Sequence, residues 1–338
     1  MSENKKIWKV IVNPHSGSGK TLPVWGKAQA MLLEAGIEFE AVFTRAPHHA
    51  IELVKEASRC GFRRFIAVGG DGTAHEVLNG IANSAEQSQL PLSDFTWAVS
   101  PIGSGNDWIK GHHIPRKLSD IVKLLQAEHF TFQDIVKVVD SQSVSYMLNV
   151  GGIGFDAHVC KQVNRQKAQG KSGRLLYVNS LIYNILHCRP APIRMVADGV
   201  EVFSGPFYSI AFGLGPYSGG GMRQCPSAVL NDGMLDYTVI PRLPIWYLFS
   251  KIPRLFNGTL EKEKDLIFGR CKKVEISMLP AAQNAETEQN GGVAQNGSSA
   301  QNSGSQMEEI VEADGEIVAR TPVMLEVCSS ALRVLTNL

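Results

Sequence analysis

Three glycine-rich runs hold most of the residues in this 338-residue chain that could do chemistry. They are Ser16-Gly17-Ser18-Gly19-Lys20, Gly69-Gly70-Asp71-Gly72-Thr73 and Ser100-Pro101-Ile102-Gly103-Ser104-Gly105-Asn106-Asp107. Each follows a short apolar run, and the second leads into a helical pattern. Glycines let the backbone approach a ligand closely. The start of a new helix offers unpaired N–H groups and the positive end of its dipole, which suits phosphate. Residues 13–21, NPHSGSGKT, resemble a P-loop only in their second half. The position owed to the first glycine of that motif is Pro14, which fixes φ and has no N–H to offer a phosphate. Asp71 inside the second loop would repel phosphate unless a metal ion or a hydrogen-bond network stands between them. Taken alone, that loop reads equally well as a turn capped by Asp71. Three such loops at successive strand ends point to a polyphosphate.

The elements that must position these loops alternate between two periods. Lys9 to Asn13, Phe39 to Thr44, Arg64 to Val68 and Thr96 to Ser100 read as strands. Between them, helices are predicted from Pro23 to Ala35, Ala50 to Cys60 and Thr73 to Asn83, with another at Leu118 to Gln126. Gly36 and Gly61 stop the first two. Such alternation implies a parallel sheet covered on both faces, with ligands at the carboxyl ends of its strands. The expected fold is therefore an α/β N-terminal domain, residues 1–138, followed by a mainly antiparallel β domain, residues 139–338.

The second region reads as short β runs: Tyr146–Val150, Ile193–Ala197, Val200–Phe203, Phe207–Phe212, Leu235–Ile240, Val274–Met278, Glu309–Ala313, Glu316–Ala319, Met324–Val327 and Leu332–Leu335. One helix is expected near Leu175 to Leu186. Asp198-Gly199 and Asp314-Gly315 look alike as tight hairpin turns. Residues 281–306 are rich in Gln, Asn, Gly and Ser and too poor in apolar groups to order themselves. Leu243 to Phe256, LPIWYLFSKIPRLF, reads either as a buried apolar segment or as a membrane-surface element.

Bulk properties exclude several classes. A net charge of +1 leaves no electrostatic footprint for nucleic acid. No apolar run approaches the roughly 18 residues of a membrane span, and the first residues lack the apolar centre of a secretory signal. Six scattered cysteines without CxxC spacing argue against a disulfide framework or zinc site and fit a reducing cytosol. The nine histidines include no HExxH.

In order along the chain, GGDGT at 69–73, HEVLNG at 75–80 and PIGSGND at 101–107 resemble the diacylglycerol kinase catalytic family, as do NVGGIGFD at 149–156, NDGMLD at 231–236, Asp314-Gly315-Glu316 and ALRVL at 331–335. That family includes bacterial diacylglycerol kinases and the sphingosine and ceramide kinases. The opening NPHSGSGK is similar to its first motif. The resemblance implies an ATP-dependent lipid kinase, cytoplasmic and peripheral to the membrane, whose ATP site lies in an inter-domain cleft. The phosphoryl group would pass to a primary hydroxyl of a lipid at the bilayer surface, such as diacylglycerol, a sphingoid base or ceramide.

The same resemblance implies roles for particular residues. Asn13, Ser16, Gly17 and Lys20 would line the nucleotide phosphates, and Thr44 the base or ribose. Gly69, Gly70, Asp71, Gly72, Thr73, Ala74, His75 and Glu76 would form the main ATP loop, joined by Gly103, Ser104, Asn106 and Asp107. Asp314 and Glu316 stand where the family places its general base. Asp232, with the carbonyls of Val229 and Met234, matches a Mg²⁺ site. Two departures stand out: His75 occupies a position where small or apolar residues are frequent, and the 281–306 insert is long. The alternatives are an NAD kinase-like enzyme, which shares GGDGT, and a catalytically inactive lipid- or nucleotide-binding regulator. Retention of Asp71, Asp107, Asp232, Asp314 and Glu316 weighs against the second. Oligomeric state is left open, with a homodimer among the possibilities.

Overall fold

The computed structural model describes residues 6–19, 21–101, 107–169, 180, 183–184, 190–280 and 308–338. Lys20, Ile102 to Asn106, most of the expected 175–186 helix and the 281–306 segment lie outside the described residues.

Strands β1 (Trp8–Val12), β2 (Phe39–Phe43), β3 (Arg64–Gly69) and β4 (Thr96–Pro101) run parallel in the order β2-β1-β3-β4. Helices α1 (Thr21–Glu34), α2 (His49–Arg59) and α3 (Asp71–Gln87) connect them. The central strands are buried through Val10, Ile11, Val12, Phe65, Ala67, Val68 and Ala98, the continuous apolar character a covered parallel sheet requires. Register then sets the rim. Val12 pairs with Val68 and Gly69 with Pro101, so the chain leaves β1, β3 and β4 at one level. The three glycine-rich runs therefore start side by side.

Helices α4 (Asp107–Gly111) and α5 (Leu118–Gln126) lead to β5 (Phe130–Val139), β6 (Val144–Met147), β7 (Val150–Gly154) and α6 (Phe155–Ala168). Next come β8 (Ala191–Ala197), β9 (Val200–Gly213), β10 (Leu235–Pro241), α7 (Ile245–Asn257), β11 (Ile267–Cys271), β12 (Lys273–Met278), β13 (Ile310–Ala313), β14 (Glu316–Arg320) and β15 (Val323–Leu335). Their pairings with one another are antiparallel, as expected for the second region. Its apolar core centres on Ile153, Ile193, Phe207, Ile210, Phe212, Val274 and Leu325.

The two regions share one sheet. Along β15, Met324 to Leu335 pair with β5, and Arg333 and Val334 pair in parallel with Thr96 and Trp97 of β4. Leu332, Val334 and Leu335 accordingly pack in the core of the parallel domain. Two expected pairs of short strands are single long ones. Residues 200–213 form β9, and 323–335 form β15 with a register shift between Cys328 and Leu332. Conversely, the expected strand Tyr146–Val150 is divided between β6 and β7. The amides of Leu148 and Asn149 at the division bond a side chain, Asp314, instead of a neighbouring strand. The aromatic segment at 243–256 forms α7, whose Phe249, Ile252 and Leu255 pack with Phe155 against Met222. Trp246 stays 72% exposed.

Candidate active site

The site is built on the first turn of α3. Gly70 is its N-cap in extended conformation, and Asp71 opens the helix. The Ala74 amide bonds the Gly70 carbonyl, and helix geometry gives the amides before it no partner within the helix itself. Two neighbours hold the loop. Asn13 donates from Nδ2 to Thr73 Oγ1 at 3.0 Å, linking the first glycine run to the second. At Gly69 a Cβ would meet Thr73 Oγ1 at 2.4 Å, so only glycine fits where the strand turns into the helix.

Within the first run, Asn13 Oδ1 accepts the His15 amide, and the Ser16 hydroxyl donates to the Asn13 carbonyl. Residues Ser16–Gly19 form a 3₁₀ turn with Gly17 and Gly19 at positive φ. Thr44 is buried at the end of β2, its amide on the Val12 carbonyl. Glu76 is committed to backbone: its two oxygens accept the amides of His48 and Ala50 and cap α2. Beside that cap, Arg45, Pro47, His48, His49 and Glu52 line a cleft of about 410 Å³.

The β13–β14 turn brings the second domain to this helix. Asp314 adopts φ +53° and Gly315 +89°. Asp314 Oδ1 accepts the Asn149 amide at 2.8 Å, and Oδ2 accepts the Leu148 amide at 2.8 Å. Oδ2 also lies 3.1 Å from His75 Nδ1. Two residues on, Glu316 reaches the glycine loop, where a Cβ on Gly72 would lie 2.8 Å from its Oε1. Of the two carboxylates in the turn, Glu316 is the one beside the free end of α3. The similar turn at Asp198 does something different: its carboxylate accepts the Lys272 and Lys273 amides and pins a hairpin away from the loops.

Buried acids support the turn from beneath. Glu312 accepts the Gly315 amide at 3.0 Å, and burial raises its carboxyl well above the ordinary range. Burial likewise lifts Asp156 to about 6, although hydrogen bonds from Ser209 and Gln224 oppose it. Gly151 and Gly152 are required here by close packing: a Cβ on the first would meet the Glu312 carbonyl at 2.5 Å, and one on the second the Asp156 Cβ at 3.0 Å.

Residues 7–138 match the family described as the diacylglycerol kinase catalytic domain, and residues 149–336 match the YegS C-terminal NAD kinase beta sandwich-like domain. The chain belongs to the diacylglycerol kinase catalytic family. Among its relatives is a diacylglycerol kinase of Mycobacterium tuberculosis (strain H37Rv), 26% identical over 268 residues, covering 79% of this chain and 83% of that protein. Another is a diacylglycerol kinase of Bacillus subtilis (strain 168), 26% identical over 277 residues, with 80% and 85% covered. The fold matches the crystal structure of a diacylglycerol kinase from Bacillus anthracis (strain Sterne). The TM-score is 0.68 at 21% identity, over 98% of this chain and 97% of that one. Among the described residues no helix is long and apolar enough to cross a membrane.

Among the described residues, the first two glycine runs meet through Asn13 and Thr73, and the Asp314–Glu316 turn meets the second at Gly72 and His75. Asp107, at the start of α4, faces a glycine run of the second domain that the sequence reading passed over. Its Oδ2 accepts the Gly220 amide at 2.6 Å, and Lys110 pairs with Oδ1. Three consecutive glycines at 219–221 were the available signal. Asn79 and Asp156 lie within the HEVLNG and NVGGIGFD runs, but nothing in those runs marks them as supports of the turn, and Glu312 lies in no motif.

Asp232 lies in a different surrounding. Its Oδ1 accepts the Met234 amide at 3.1 Å, and Arg270 pairs with Oδ2 while also bonding Asp236 at 3.1 Å. Among the described residues no cluster of three His, Cys, Asp or Glu side chains could hold a metal. Arg270 occupies Asp232 Oδ2 in this arrangement, which leaves Oδ1 as the side-chain oxygen a cation could share with the carbonyls of Val229 and Met234. Val229 is half exposed on the same loop. No step of the reaction is drawn through a metal at this loop.

Proposed function

We propose that the chain transfers the γ-phosphoryl group of ATP, taken as its magnesium complex, to a primary hydroxyl of a lipid drawn from a bilayer surface. The observation that carries this reading is the approach of Glu316 to Gly72, which sets a carboxylate beside a helix N-terminus suited to phosphate. Phosphoryl transfer needs positioning and charge stabilisation more than covalent help. The α3 amides and the Asn13–Thr73 pair would hold the phosphates. Glu316 would take the proton of the acceptor hydroxyl as its oxygen bonds to phosphorus and the bond to the departing ADP oxygen breaks. Asp314, whose two oxygens accept two amides and face His75, would hold the turn.

The test is an assay with labelled ATP and a panel of diacylglycerol, sphingoid base, ceramide and, as a control, NAD. Transfer to a lipid is expected. Labelling of NAD alone would favour the NAD kinase-like reading, and no transfer at all would favour a binding regulator.

A further inference from the structure

We propose that His75 is a positioning residue: its ring fixes the Asp314–Glu316 turn of the second domain against the nucleotide loop of the first. This inference rests on the lipid kinase reading for its catalytic consequence, but the contact itself does not.

His75 lies on α3 about one turn after the glycine loop, three residues after Gly72. Its side chain is 7% exposed, and that of Asp314 is 8% exposed. Nδ1 lies 3.1 Å from Asp314 Oδ2, and Nε2 lies 3.2 Å from Asn79 Nδ2. An acceptor carboxylate at Asp314 places the proton on Nδ1, which leaves Nε2 as an acceptor facing Asn79 Nδ2, whose two hydrogens are shared among Nε2, the His75 carbonyl at 2.9 Å and the Tyr146 carbonyl. Asn79 in turn donates to the Tyr146 carbonyl at 3.0 Å, and its Oδ1 accepts the Tyr146 amide at 2.8 Å and the Ser145 hydroxyl at 3.0 Å. Asp314, His75 and Asn79 thus form one buried chain of hydrogen bonds. Its two ends grip the same strand division, Ser145 and Tyr146 on one side and Leu148 and Asn149 on the other.

Two contacts then join helix and turn. Glu316 meets the helix at Gly72, and Asp314 meets it one turn later at His75. Glu312 and Asn164 hold Gly315 from the second domain's own side, so the His75 bond sets how the turn sits against α3. Without the ring, Asp314 loses its direct bond to α3, and its hold on the Leu148 and Asn149 amides loosens. Glu316, which Asn164 also approaches at 3.4 Å, would then be held less closely against Gly72. Displacements of about 1 Å can cost on the order of 10²-fold in rate.

The experiment compares His75→Ala, His75→Leu and His75→Asn. Asparagine presents an amide N–H near the place of Nδ1–H, while leucine fills the volume without a donor. With the lipid that the wild type accepts, Ala and Leu are expected to lower kcat roughly 10- to 100-fold. The KM for ATP should change less than about threefold, and Asn should recover most of the lost kcat. Hydrogen exchange read without substrate should show faster exchange at Leu148 and Asn149 in Ala and Leu but not in Asn. Recovery by Leu rather than Asn, or wild-type kcat in the Ala variant, would overturn the proposal. If the wild type phosphorylates no lipid, the kinase reading fails by itself. The exchange pattern still decides whether His75 holds the turn: uniform protection in all three variants would show that it does not.

Discussion

At the scale of single residues, Asp314 and Glu316 are two positions apart and differently occupied. Asp314 accepts two backbone amides and faces a histidine, while Glu316 lies against the glycine loop. Sequence could name both as candidates but not separate them, because the separation comes from Leu148 and Asn149, more than 160 positions away in the chain. For the same reason Asp314-Gly315 and Asp198-Gly199 read alike, and only tertiary contacts tell a site turn from a plain hairpin. Glu316→Gln is expected to lower turnover by roughly 10²–10⁴-fold while leaving ATP affinity and melting temperature near wild type. Asp314→Ala strands two amides, each a penalty of about 1–3 kcal/mol where buried, so its melting temperature should fall along with its activity. Steady-state kinetics, calorimetry and thermal melts on the two variants check this. Near wild-type turnover in Glu316→Gln would move the base to Asp314 or, failing that, to Asp107.

At the scale of elements, the strand–helix alternation of the first region was legible because its period switches cleanly and its glycines stop the helices. β5 escaped notice because Gln133 and Asp134, both fully buried, interrupt its apolar pattern. They are there to bond Leu148, Trp108 and the amides of Gly233 and Ser330. α6 escaped because FDAHVCKQVNRQKA is a largely polar stretch. The α3 start yields its own prediction. Gly72→Val places a branched side chain where Glu316 Oε1 already stands 2.8 Å from the Cβ position. It should abolish ATP binding by calorimetry while circular dichroism stays native, and retained affinity in a folded variant would remove the phosphate role of the loop. The Asp232 loop gives another. With Arg270 bridging Asp232 and Asp236, a chelator added to the nucleotide-free protein should leave its melting temperature unchanged. A drop reversed by Mg²⁺ would show that the folded chain binds the ion despite the guanidinium bridge.

At the scale of the whole molecule, the junction between the parallel sheet and the second domain is held by a polar network in an apolar setting, and its acid response is predictable. His112 is 1% exposed. Its Nε2 donates to Gln133 Oε1 at 2.6 Å, the Thr336 hydroxyl lies 3.4 Å from Nδ1, and the ring packs 4.4 Å from Trp108. Gln133 continues the network to the Leu148 carbonyl at 2.6 Å, next to the amide that Asp314 accepts. Burial lowers His112 from 6.5 to about 4, with His113 adding to the effect and the Gln133 bond opposing it. A lowered histidine is neutral in the folded chain, while the unfolded chain takes up a proton below 6.5. Its contribution is therefore complete above pH 6.5 and is lost as pH falls toward 4, by roughly 3 kcal/mol over the window. Asp156, raised from 3.8 to about 6, works the opposite way: its contribution is complete below 3.8 and is lost as pH rises toward 6. Burial raises Glu312 and Asp236 in the same direction as Asp156, so the wild-type curve sums several groups and hides the histidine. The difference between wild type and His112→Gln isolates the histidine, because glutamine keeps an N–H donor for Gln133 but does not titrate. Denaturant unfolding from pH 7.5 to pH 4 should show the wild type's advantage over that variant constant above pH 6.5 and shrinking by roughly 3 kcal/mol as pH falls to 4. A difference that stays level across the window would mean that His112 takes up its proton in the folded chain as readily as in the unfolded one, and that the junction is open to water.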